Sequence, residues 1–137
     1  MKTLKLSTIL AASFLVFSCS SDDSSTTSGE LLGKWYFKEY KALGQTIPYD
    51  DHEECGKDYI QFNANGTGAN VDVFNCVDDV ALYTYTRSGN NITITSDGQS
   101  DTVQITELSS ATFKFKTIYD FDDDGDDESV VIVFTRN

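Results

Sequence analysis

The amino-acid sequence predicts an all-β protein, an eight-stranded antiparallel up-and-down β-barrel. Three observations carry that expectation. Short runs rich in β-branched and aromatic residues recur at fairly even spacing, residues that tolerate positive φ stand between them, and apolar and polar residues alternate within several runs. Closure into a barrel is favoured over an open sandwich because tight hairpins in chain order leave no edge protected by charge alone.

The expected strands are Lys34 to Tyr40, Tyr59 to Asn63, Ala69 to Phe74, Val80 to Thr86, Asn91 to Thr95, Thr102 to Leu108, Thr112 to Tyr119 and Ser129 to Thr135. Asn65-Gly66, Ser88-Gly89-Asn90, Asp97-Gly98 and Asp124-Gly125 supply turn residues between them. Phe113, Phe115, Thr117 and Tyr119 share one face while Lys114 and Lys116 share the other. Ile92 and Ile94 oppose Thr93 and Thr95, and Val103 and Ile105 oppose Gln104 and Thr106. The last run, Val130 to Phe134, is apolar on both faces, which predicts cover on its outer side by another segment or a partner. After the spacer no stretch shows sustained helical periodicity, and only Glu30 to Leu32 reads as a helical turn.

Residues 1–18 have the order of a cleaved leader: a basic start at Lys2 and Lys5, an apolar core from Ile9 to Phe17, and small Ser18 before Cys19. Leu15-Val16-Phe17-Ser18-Cys19 resembles a bacterial lipobox, which implies cleavage before Cys19 and a diacylglycerol on its thiol. Acyl chains add about 0.8 kcal/mol per buried methylene, so a multiply acylated chain stays on its membrane. Residues 19–30 are the lipidated cysteine and a Ser/Asp/Thr spacer with little that can pack. Ser20, Ser21, Asp22 and Asp23 resemble the acidic export signal of surface lipoproteins of the Bacteroidota, beside the plainer reading of a polar linker. Residues 31–137 are long enough for one domain and too short for two.

The chain holds 10 Lys+Arg against 22 Asp+Glu, a formal charge of −12, and losing Lys2 and Lys5 with the leader makes it more negative. No basic patch is available to neutralise phosphates, so nucleic acid is excluded as a partner. The same balance opposes adhesion of the folded domain to an anionic bilayer, leaving the lipid as the membrane contact. With Cys19 assigned to the lipid, Cys55 and Cys76 form an even pair. A disulfide between them would add about 3 kcal/mol by loop closure. The competing reading, two metal-ligating thiolates, has only His52 nearby as a further ligand.

Residues Asp120 to Glu128 carry like charge in an unusual concentration, which is unfavourable unless solvated or neutralised. Asp120, Asp122 and Asp124 with Gly125 fit the first half of a calcium loop, and Asp126 and Glu128 add carboxylates. Val131 occupies the position where such a loop needs its bidentate glutamate, so the expectation is at most weak calcium binding, against a solvated hairpin tip. No other cofactor is implied. The single histidine, His52, reads as a surface-loop residue, and neither a nucleophile with an orienting base nor a Gly-x-Ser-x-Gly elbow is present. The expectation is a protein without catalytic residues.

Gly33-Lys34-Trp35 resembles the Gly-x-Trp signature of lipocalins and related calycin barrels, and Tyr59-Ile60-Gln61-Phe62-Asn63-Ala64-Asn65-Gly66-Thr67-Gly68 resembles a strand-turn signature of lipocalin-like lipoprotein domains. The resemblance implies a Trp35 at the closed end of the barrel, stacked by a basic side chain of the last strand, for which Arg136 stands at the matching place. It also implies a non-enzymatic, outer-membrane, lipid-anchored protein, exposed at the cell surface, that binds a small apolar or amphipathic ligand in the barrel mouth. The alternative is a surface module that contacts a protein or glycan while its aromatic residues fill the interior. Large rings take up the volume a ligand would need.

Overall fold

A computed structural model describes residues 30–137; the expected leader, the lipidation site Cys19 and the spacer through Gly29 lie outside them. The described residues form nine strands: β1 Gly33–Ala42, β2 Gln45–Pro48, β3 Tyr59–Phe62, β4 Thr67–Phe74, β5 Val77–Ser88, β6 Asn91–Ser96, β7 Gln99–Leu108, β8 Thr112–Tyr119 and β9 Glu128–Thr135. From β3 to β9 each strand pairs antiparallel with its chain neighbour, and β1 closes the ring by pairing with β3 at Gly33–Tyr36 and with β9 at Tyr36–Lys41. The result is a closed eight-strand barrel, as the alternation of apolar residues predicts.

The ninth strand is a correction. β2 pairs with Glu39–Ala42 on the part of the β1 edge that β3 leaves free. It escapes a reading by composition because Gln45-Thr46-Ile47-Pro48 has one core-type residue, and because its turn uses Leu43 at φ 53° before Gly44. Leucine is rarely found in that conformation. Asn75 and Cys76, at φ 51° and 61°, form the β4–β5 turn in the same way, alongside the expected Asp97-Gly98 turn of β6–β7. β5 also begins earlier than composition suggests, since pairing with β4 carries it through Asp78 and Asp79.

Strand direction sorts the connections into two ends. The β3–β4, β5–β6 and β7–β8 turns and both ends of the described chain lie at one, the closed end. The β1–β2, β4–β5 and β6–β7 turns, residues 49–58 and the acidic β8–β9 loop lie at the other, the open end. Glu30 to Leu32 form no helical turn: Leu31 is buried, and its carbonyl accepts Trp35 Nε1–H at 2.8 Å.

Inward-facing rings fill the barrel. Trp35, Phe113 and Phe134 are 0% exposed and Phe62 1%. Phe113 lies 5.5 Å from Trp35, 5.9 Å from Phe62 and 5.3 Å from Phe134, centroid to centroid. Ile92, Val103, Ile105 and Leu108 complete the cluster from β6 and β7. Both faces of β9 are largely covered, as its composition predicts: Val133 is buried on the outer side, where register sets it between Glu39 and Lys114. Long charged side chains can shield an apolar neighbour with their stems.

Phe113 touches rings from three other strands, so its loss should leave a cavity that no neighbour can fill. Phe113→Ala should lower stability by about 3–5 kcal/mol, read from the midpoint of chemical denaturation. A loss below about 1 kcal/mol would show that the rings do not form one packed unit.

Candidate functional site

At the closed end, the Arg136 guanidinium carbon lies 3.8 Å from the centroid of the Trp35 ring. Its Nη1 donates to Leu32 O and its Nη2 to Glu30 O, both at 2.7 Å. One planar fork therefore ties the C-terminus to the segment entering β1 and caps the indole, in a partly desolvated cation–π contact worth about 1 kcal/mol. Gly33 is required there twice over. Its φ is +101°, and a Cβ would sit 2.7 Å from Arg136 Nη1. Gly68 is required by contact as well, since a side chain there would collide with the Tyr83 ring lying across it.

At the open end, residues 49–58 form a strap across the gap where β1 passes from β3 to β2. Tyr49 stacks on Phe37 at 5.0 Å. Asp58 is 1% exposed, and its carboxylate accepts Val73 N–H at 2.8 Å and the Tyr49 hydroxyl through a short bond. Burial of a carboxylate is tolerable when it is hydrogen-bonded in this way. His52 is no loose surface histidine: Nδ1 accepts Asp58 N–H at 3.1 Å, and Nε2 donates to Phe37 O at 2.8 Å. With both ring nitrogens held by backbone, it presents no base to a substrate. Tyr49 and Asp58 were not marked in the sequence, because an aspartate between Lys57 and Tyr59 has no local pattern that separates it from a solvated acid.

Cys55 and Cys76 are bonded to each other, which removes the thiolate-metal alternative. The bridge joins the strap to the β4–β5 turn, where the Glu53 carboxylate also accepts Asn75 N–H at 2.7 Å and Cys76 N–H at 2.8 Å.

The acidic loop brings Asp120, Asp122 and Asp124 together, with one oxygen from each within 4.8 Å of the others. Asp126 and Glu128 stand outside that group. Much of the oxygen complement is engaged by the loop itself: Asp120 accepts Asp124 N–H and Gly125 N–H at 3.1 Å, Asp124 accepts Asp126 N–H at 2.9 Å, and Glu128 accepts Phe121 N–H at 2.7 Å. These bonds hold the hairpin tip by local turn chemistry.

The barrel wall carries an apolar concavity of about 470 Å³ on its outside. Register places Phe62, Gly68 and Tyr83 on the inner face with Trp35, so Gln61, Ala69, Leu82, Thr84 and Thr95, which line the concavity, point outward. Near the open end, Tyr40, Ile94, Thr117 and Ile132 face inward and are partly buried.

Burial raises several tyrosines. The Tyr40 hydroxyl is pushed up to about 12, first by burial and then by Tyr119, Asp51 and Asp58. Tyr49 is raised by burial and by its bond to Asp58, and Tyr83 by burial and then Tyr85. A raised folded-state value means that the stabilisation is complete below the unfolded value, near pH 10, and is lost as pH climbs toward the folded one. The folded protein should therefore lose stability from about pH 10 to about pH 12, with ultraviolet difference absorbance showing Tyr40 ionising later than free tyrosine. Ionisation of every tyrosine near pH 10 with the fold intact would contradict the burial. Separately, reduction of the disulfide, whose cysteines are 21 residues apart, should lower stability by about 3 kcal/mol without removing the sheet signal in circular dichroism.

No curated protein matches this chain in sequence. Among solved structures it is similar to a lipocalin-like protein from Bacteroides uniformis ATCC 8492, with 15% identity, a TM-score of 0.60, and 80% of this chain and 100% of that one covered. It is similar also to an uncharacterized protein from Bacteroides eggerthii DSM 20697, with 14% identity, a TM-score of 0.57, and 79% and 100% coverage. The model of the lipocalin-like domain matches residues 31–115, from Leu31 just before β1 to Phe115 on β8. With more than half of its length matched and a closed eight-strand ring that a Trp35–Arg136 stack seals at one end, this chain belongs to the lipocalin-like domain family.

Proposed function

We propose that this chain is a non-enzymatic, outer-membrane lipoprotein whose barrel acts as a scaffold for binding on its outside, contacting a surface protein or glycan. The observation that carries the reading is the interior. Trp35, Phe62, Phe113 and Phe134, all 0–1% exposed, occupy the volume in which a carrier would hold its cargo. Engagement of both His52 ring nitrogens by backbone supports a role without catalysis. The acylated Cys19 remains part of the proposal. The described chain enters at the closed end, so a tether from Cys19 would turn the open-end loops away from the bilayer.

A second reading, carriage of a small apolar or amphipathic molecule, has one observation in its favour: Ile94 and Ile132 face inward near the open end and remain partly exposed. A solvatochromic naphthylamine probe separates the two. With the mature protein in detergent, the external module should give no saturable rise in probe fluorescence, and acrylamide should leave Trp35 emission unquenched. Saturable one-to-one binding that Ile94→Asp abolishes would establish the carrier instead. Mass spectrometry of envelope protein should find acyl chains on Cys19, and an unmodified chain beginning elsewhere would refute the anchor.

A further inference from the structure

β5 uses its two edges unequally. Pairing with β4 runs from Val77 to Thr84, whereas β6 pairs only with Thr84–Ser88. Two hydrogen bonds fix which way the backbone groups point. Tyr85 N–H reaches Gly66 O on the β4 side, and Leu82 O receives Ser96 Oγ from the β6 side. N–H and C=O of one residue in an antiparallel strand point the same way and alternate along the chain. Asp78, Val80 and Leu82 therefore direct theirs away from β4, along an edge where β6 has already ended.

The side chains of that stretch are also in solvent. Every residue from Val77 to Leu82 is exposed, with Val80 at 49% and Leu82 at 73%. The apolar concavity lined by Ala69, Leu82 and Ser96 opens where β6 departs. Charge there has one sign: Asp78 and Asp79 lie on the strand, Asp72 pairs with Asp79, Asp97 sits at the neighbouring turn, and no lysine or arginine occurs from 58 to 86.

We infer that the Val77–Leu82 edge of β5 is a docking site for an extended cationic strand of a partner protein, which lengthens the sheet by one strand. The inference rests on the reading that this barrel binds on its outside, and names where. Main-chain groups of the partner bond those of Asp78 and Val80, one apolar side chain enters the concavity, and lysines or arginines meet the aspartates. Charge complementarity selects this occupant over a second copy of the chain, since two such edges would set aspartates against aspartates, which destabilises strand pairing.

The test uses the mature lipidated chain in detergent and a synthetic peptide alternating lysine with valine. Binding should slow amide exchange at Asp78 and Val80 by about tenfold or more. Val80→Pro removes one outward N–H while sparing the β4 ladder, and should weaken the peptide by about tenfold or more. An alternately N-methylated peptide of equal charge should bind the unaltered protein just as poorly, which keeps the test independent of how the variant folds. Equal binding of both peptides, or protection confined to residues 120–128, would reduce the effect to charge attraction and overturn the docking edge while leaving an external module intact. A dimer that Val80→Pro converts to monomer would overturn it in favour of a second copy. Protection at Ile94 and Ile132 with none on β5 would overturn both this inference and the external module.

Discussion

The pairing of β1 with β9 is the constraint from which the rest of the structure follows. Without it, nine strands would be an open sheet with two long edges and one face of aromatic rings in water. With it, the rings meet at the barrel axis, and Phe37 from β1 comes to lie 4.7 Å from Phe134 of β9. Closure and core burial are thus one event. Arg136 reinforces the same junction, joining the C-terminus to the entry of β1 through two backbone carbonyls and a ring face.

A barrel filled from its closed end has little interior left to specialise, and the longer connections gather at the open end. Its turns are held by polar contacts and a disulfide in addition to ring contacts such as Tyr40 with Tyr49 and Phe121. The Asp58 carboxylate links strap and β4, the Cys55–Cys76 bridge links strap and β4–β5 turn, and Glu53 caps the same turn. This reinforcement stops at the base of the hairpin edge. The β4–β5 hairpin stands beyond the end of β6, and among the described residues no strand pairs with the outer edge of Val77–Leu82. Its aspartates oppose self-association in the way that charged residues commonly protect free edges. An edge guarded against its own kind by charge is open to a strand of opposite charge.

Much of the fold was legible because the physical signal is local. Phe113 and Phe115 alternating with Lys114 and Lys116, or Ile92 and Ile94 with Thr93 and Thr95, report a wall with one dry face whatever the rest of the chain does. The Gly33-x-Trp35 pair was legible for a related reason, since only glycine suits the conformation and the close approach of Arg136. Less could be read where a residue owes its position to a distant partner. β2 exists because β3 leaves part of β1 unpaired, a fact about pairing and not about Gln45 to Pro48. His52 and Asp58 look like members of a solvated acidic loop until Phe37 and Val73 are brought beside them.

By itself, the order of residues determined an all-β chain, its eight barrel strands, the acidic surface and the pair of cysteines left for a bridge, because alternation, charge and residue count are properties of short segments. Only the tertiary structure decided that rings pack the interior from its closed end, that the strap is tied by a buried aspartate, and that one edge of the outer half of β5 has no strand partner among the described residues. Each of those depends on how far one strand runs relative to the next. Register is set by the sum of many contacts across the closed ring, and no single segment contains it.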